Sequence, residues 1–156
     1  MSVTRHPFFA GHGDSRRFPS DRALAARLRA SLVPLAPIAN RLTRRFYERL
    51  FDARPDLRAL FPRELDAQCE KLAATLWAVA DASDDIGGAH GELARMGLDH
   101  AGYGARAEHY PIACAMLLAS LVEAAGDAWD ESTREDWRTA LERISAAMLA
   151  GAARGR

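Results

Sequence analysis

Three polar side chains stand on faces where the surrounding pattern is apolar, and each carries a group that can do chemistry. His100 follows Met96 by four residues and Leu93 by seven, so the three share one face of a helix. Gly102 and Gly104 come directly after it and leave the imidazole near the helix end. An imidazole there can be a hydrogen-bonded core residue, or a metal ligand whose second nitrogen donates to a carbonyl or carboxylate. Gln68 precedes Leu72 by four residues and Leu76 by eight, at the edge of a long apolar stripe. Its amide needs partners if buried, yet at a helix start it can equally reach solvent. Tyr47 follows Phe46 in an amphipathic stretch, where a tyrosine either packs its ring with the hydroxyl in water or offers a neutral donor to a pocket. Taken singly, each residue leaves both readings open.

The elements that must position these groups read as helices. Ser20 is a candidate N-cap ahead of Leu24, Leu28 and Leu32, and Pro34 and Pro37 interrupt that helix. A second helix carries Ile38, Leu42, Phe46 and Leu50, and Pro55 starts a short turn bearing Leu57, Leu60 and Phe61. The next stripe is Leu65, Cys69, Leu72, Leu76 and Val79, ending near Asp84 and Asp85. Gly87 and Gly88 precede the helix of His100. Tyr110, Ala113, Leu117 and Leu121 then lead to Gly126, with Pro111 tolerable in a first turn. A last helix from Asp130 carries Trp137, Leu141, Ile144 and Met148. No strand alternation and no internal repeat is present, so the fold class is all-α with six or seven helices. Residues 1–19, which include Phe8 and Phe9, read as a flexible arm, residues 20–150 as the domain, and residues 151–156 as a frayed tail.

Composition bounds the partners. The chain has 156 residues, 49% hydrophobic and 27% charged, enough for one domain with a single core. Lys plus Arg number 21 and Asp plus Glu number 21, so no net field gathers nucleic acid or anionic lipid. No apolar run is expected to reach the roughly 20 residues that span a bilayer, and the N-terminus lacks a secretion signal. Cys69 and Cys114 fall in helical patterns without metal-ligand or redox spacing, which suits buried free thiols in a cytoplasmic protein.

Order and spacing then point to a family. Residues 46–61, FYERLFDARPDLRALF, resemble the end of the B helix and the C helix of bacterial globins. These are the single-domain bacterial haemoglobins and the globin domain of flavohaemoglobins, with animal neuroglobin a more distant relative. QCEKL, residues 68–72, is similar to the distal face of the E helix. MGLDHAGYGARAEHYPI, residues 96–112, is similar to the end of the F helix, its corner and the start of the G helix. DAW and DESTREDW, ending at Trp137, resemble the G–H corner and the early H helix. The likeness spans about residues 24–150.

The resemblance implies a globin fold, a three-over-three helical sandwich around one haem b (iron protoporphyrin IX). Carried over by position, it makes His100 the proximal iron ligand and places Tyr47, Gln68 and Leu72 in the distal ligand pocket. Phe61 matches the phenylalanine that wedges against the porphyrin, and Tyr110 the G-helix tyrosine near the proximal histidine. Met96 and Tyr103 join the haem contacts. Lys71 is placed to pair with a propionate, although an exposed lysine gains little from such a pair. His90 and His109 are not expected as ligands, and His109 reads as surface-exposed. Tyrosine and glutamine both donate to a bound gas while staying neutral, and neither readily becomes a sixth iron ligand. The iron is therefore expected to be pentacoordinate and open to O2, NO or CO, with Leu72, Phe61 and Met96 as apolar walls.

Two departures qualify what the family implies. Flavohaemoglobins carry a late H-helix glutamate that completes a network with the proximal histidine. The matching position, fifteen after Trp137, is Ala152, with Glu142 a geometric substitute. Asp99 precedes the histidine where several relatives have a basic residue. Both weaken the expectation of peroxidase-like activation. No glycine-rich dinucleotide fingerprint follows, so redox turnover is expected to need a separate reductase. Reversible O2 binding, as a monomer or homodimer, is the leading expectation. Nitric oxide dioxygenation, with Tyr47 and Gln68 as its catalytic pocket, is the enzymatic alternative. A gas sensor acting through a partner and a haem-free globin-like protein complete the set.

Overall fold

Apolar residues recurring every three or four positions make helices here, and prolines and glycines set the breaks between them. The computed structural model describes residues 21–155; the expected arm, Phe8, Phe9 and the Ser20 cap lie outside the described residues. The α-helices are α1 (Asp21–Leu32), α2 (Ala39–Ala53), α3 (Asp66–Ala82), α4 (His90–Gly102), α5 (His109–Ala125) and α6 (Glu131–Arg154). Short 3-10 helices at Val33–Ile38, Pro55–Leu60 and Gly126–Ala128 join them, and no strand occurs among the described residues. Pro34 and Pro55 sit in the first turns of two of these, where a missing N–H costs nothing.

The helices form a three-over-three sandwich. α1 packs on α3 and α6, α2 on α3 and α5, and α4 and α5 on α6. α2 buries Leu42, Thr43, Phe46, Tyr47 and Leu50 on one face. Each fully buried leucine or phenylalanine there contributes roughly 1.5–3 kcal/mol. At the far end Trp129 and Trp137 stack with centroids 5.9 Å apart. Both indole N–H groups donate to Ser31, Trp129 to its carbonyl at 3.1 Å and Trp137 to its hydroxyl at 2.8 Å. That clasp fixes the start of α6 against the end of α1. Asp130 caps α6 by accepting from the Thr133 N–H at 2.8 Å.

The closest helix approach is that of α4 and α6, and two glycines make it possible. A Cβ at Gly97 would lie 1.9 Å from the Met148 carbonyl oxygen, and one at Gly151 would lie 2.2 Å from the Ala94 Cα. Gly151 and Ala152 are buried, and α6 runs on to Arg154. Of the tail expected to fray over residues 151–156, residues 151–154 are helical, because α4 covers the last turns of α6, and residue 156 lies outside the described residues. A second correction concerns hydropathy. The stretch His109–Ala128 is 20 residues long with mean hydropathy 1.4, enough by length and composition to cross a membrane. In the fold it forms α5 and packs on α2 and α6.

Because backbone atoms occupy the space beside Gly97, adding one methyl there must push α4 off α6. Gly97→Ala is expected to cost about 1–3 kcal/mol of stability in urea unfolding, the usual range for overpacking. An unchanged midpoint would contradict the close approach.

Candidate functional site

His100 stands in the last turn of α4 with its ring exposed. Its Nδ1 lies 2.7 Å from the Met96 carbonyl oxygen four residues earlier. A carbonyl can only accept, so the proton is on Nδ1 and the lone pair is on Nε2. Among the described residues no protein group bonds that Nε2. The Tyr110 ring, from the first turn of α5, stands 6.3 Å away centroid to centroid. Burial raises the Tyr110 phenol above its ordinary value, and the nearby Cys114 thiol adds to the effect.

The other two histidines in the described chain are engaged differently. His109 Nδ1 accepts from the Arg106 backbone N–H at 3.0 Å, which uses the lone pair a metal would need. Its side chain is only 12% exposed, correcting the expectation that it lies on the surface. The ring is drawn inward because it closes the turn that starts α5. His90, at the start of α4, accepts from the Arg154 guanidinium through Nε2.

α4 is carried chiefly by α6, whereas α3 packs mainly on α1 and α2 and less extensively on α6. The half-buried side chains Leu72 of α3, Met96 of α4, Ile112 of α5 and Phe61 ahead of α3 pack against the core. Tyr47 is 5% exposed and sits in an aromatic group with Phe46, Phe51 and Phe61. Its ring meets Phe61 edge-on at 5.4 Å. Burial, and secondarily the Cys69 thiol, push its phenol up to about 12, so it remains a donor.

Gln68 is half-buried in the first turn of α3, and α3 is tied to α2 at that turn. The Thr43 hydroxyl, fully buried, lies 3.1 Å from both the Cys69 and Asn40 carbonyls. Arg44 pairs with Asp66 outside it. Tyr47 and Gln68 thus descend from two helices locked together one turn before Tyr47 and next to Gln68. Of the remaining expected residues, Lys71 is exposed and Tyr103 is 66% exposed, outside the core. Ala152 is buried, and the charge of the exposed Glu142 is felt at Cys114.

A family comparison settles what this architecture is. The globin family profile matches residues 44–148, more than half of the chain. The chain is a globin. A flavohemoprotein of Bordetella pertussis is 33% identical over 129 residues, covering 78% of this chain and 32% of that protein. A flavohemoprotein of Chromobacterium violaceum is 35% identical over 111 residues, covering 69% and 28%. This globin therefore spans about a third of the length of the curated relatives it matches. A bacterial globin from Campylobacter jejuni superposes with a TM-score of 0.73 at 22% identity, covering 85% of this chain and 96% of that one. An engineered carbene transferase, made from a protein of Rhodothermus marinus assigned as a nitric oxide dioxygenase, gives 0.73 at 26% identity, covering 85% and 92%. The flavohemoglobin of Malassezia yamatoensis, solved with bound FAD and haem, gives 0.70 at 21% identity, covering 84% and 36%.

Three residues that shape the site were not singled out in the sequence. Gly97 and Gly151 set the distance from α4 to α6, and Thr43 bridges α2 to α3. A small or hydroxyl residue at a helix interior was the only signal available for them.

The raised Tyr47 phenol has a pH consequence. Above pH 10 an unfolded tyrosine ionises while the buried one keeps its proton until about 12, so the unfolded chain binds fewer protons. The stability tied to Tyr47 is complete below pH 10 and falls as pH climbs toward 12. Urea unfolding on either side of pH 10 should show this loss, and Tyr47→Phe should flatten it.

Proposed function

We propose that this globin binds one haem b with His100 Nε2 as the proximal iron ligand, and holds O2, NO or CO in a pocket formed by Tyr47, Gln68 and Leu72. The observation that carries the proposal is the Nδ1 hydrogen bond to Met96, which leaves the Nε2 lone pair of an exposed ring without a protein partner among the described residues. One imidazole suits a metal that arrives with most of its ligands already in place, as iron does in a porphyrin. Bound haem would supply an iron with one open position for a diatomic gas.

The chain's own groups do the rest. His100 holds and orients the cofactor from α4. Tyr47 keeps its proton and donates toward negative charge on a ligand, and the Gln68 amide offers a second donor. Leu72, Phe61 and Met96 keep bulk water out. Tyr103 and Lys71 sit at the rim, where Lys71 can meet a propionate with little energetic consequence. The free thiols Cys69 and Cys114 suit a reducing cytoplasm.

Nitric oxide dioxygenation is the second reading, favoured by the likeness to flavohemoproteins and to the Rhodothermus protein. A reductase would then have to supply electrons, as a separate partner or a further domain. Ala152 offers no carboxylate to His100, which favours reversible binding over bond-breaking chemistry.

Removing one neutral donor costs about 1 kcal/mol, so Tyr47→Phe should speed O2 release about fivefold to tenfold. Stopped-flow release rates check this, and an unchanged rate contradicts the distal assignment. Sustained NO consumption with added reductase and NADH would favour the dioxygenase reading; a single turnover favours gas binding.

A further inference from the structure

We propose that Arg58 is a positioning residue that clips the loop between the Pro55–Leu60 turn and α3, and so sets Phe61 and the distal side of the pocket. The inference rests on the proposed gas-binding role for its consequence, though not for its geometry. Residues 61–63 lie between two helices, where no helical ladder serves their carbonyls, and Pro62 forces Phe61 into an extended conformation. Arg58 supplies the missing donors. Its Nη1 donates to the Pro62 carbonyl at 2.9 Å and the Phe61 carbonyl at 3.4 Å, and its Nη2 donates to the Arg63 carbonyl at 2.8 Å.

The same guanidinium lies over the Phe51 ring, 5.2 Å from its centroid. Phe51 in turn meets Phe61 edge-on at 5.3 Å and stacks against Tyr47 at 6.0 Å. One planar group therefore holds three consecutive carbonyls on one side and an aromatic ring of α2 on the other. Only a fork of several fixed donors can do both. Leu60, from the same turn, stands 37% exposed beside Gly104, whose φ of 100° only glycine adopts cheaply. A Cβ at Gly104 would come within 3.0 Å of the Leu60 side chain. The clipped loop thus also abuts the corner after α4.

Amide exchange in the haem-loaded protein tests the clip, comparing wild type with Arg58→Lys and Arg58→Ala. Loosening the loop should speed exchange on the order of tenfold in both variants at Phe61 and Cys69, whose N–H groups bond the Arg58 and Leu65 carbonyls at its two ends. The lysine keeps the charge and stem but lacks the fork, so it should not rescue. Unchanged exchange there, full rescue by lysine, or a rise spread evenly over the chain would each overturn the proposal. CO rebinding after photolysis reads the pocket: a several-fold change in rate in both variants is expected. Unchanged rebinding despite faster exchange would overturn the link from clip to pocket. A protein that takes up no haem would defeat the proposed function, while exchange in the haem-free chain would still decide the role of Arg58.

Discussion

The 2.7 Å hydrogen bond from His100 Nδ1 to the Met96 carbonyl decides what the imidazole can do. It fixes the tautomer, orients the ring along its own helix and leaves Nε2 as a base. A histidine whose Nδ1 accepts, as in His109, is disarmed as a ligand. The position of the imidazole is set one layer further back, where Gly97 and Gly151 let the backbones of α4 and α6 meet. α4 takes α6 as its main partner, while α3 packs mainly on α1 and α2.

At α2 and α3 the constraint is different in kind. α2 and α3 are joined by the buried Thr43 hydroxyl and by packing, and the residues hung from them are mostly aromatic. Desolvation then makes Tyr47 a persistent donor. A polar group in an apolar surround is costly unless something bonds it, and a ligand with partial negative charge is a fitting partner. In the proposed function the two halves divide the work: α4 would present a base, and α2 with α3 would present donors.

Much of this was legible in the residues. Element order followed from leucine spacing and from Pro34, Pro55 and Gly126, and the globin resemblance rested on segments that the family comparison also covers. What was not legible depends on tertiary partners. Gly151 looked like the start of a fraying tail because its neighbours on α4 are far away in sequence. His109 looked exposed because its hydrogen-bond partner is a backbone N–H, which composition does not advertise. Arg58 was not singled out, since nothing local shows that the carbonyls around Pro62 need donors.

The central claim is that His100 holds the cofactor, and hemin titration followed by visible absorption tests it most directly. Wild type should take up one equivalent and give a ferrous five-coordinate histidine spectrum. His100→Gly should bind weakly, with the wild-type spectrum restored by added imidazole. Equal affinity and an identical spectrum for His100→Gly without imidazole would contradict the account.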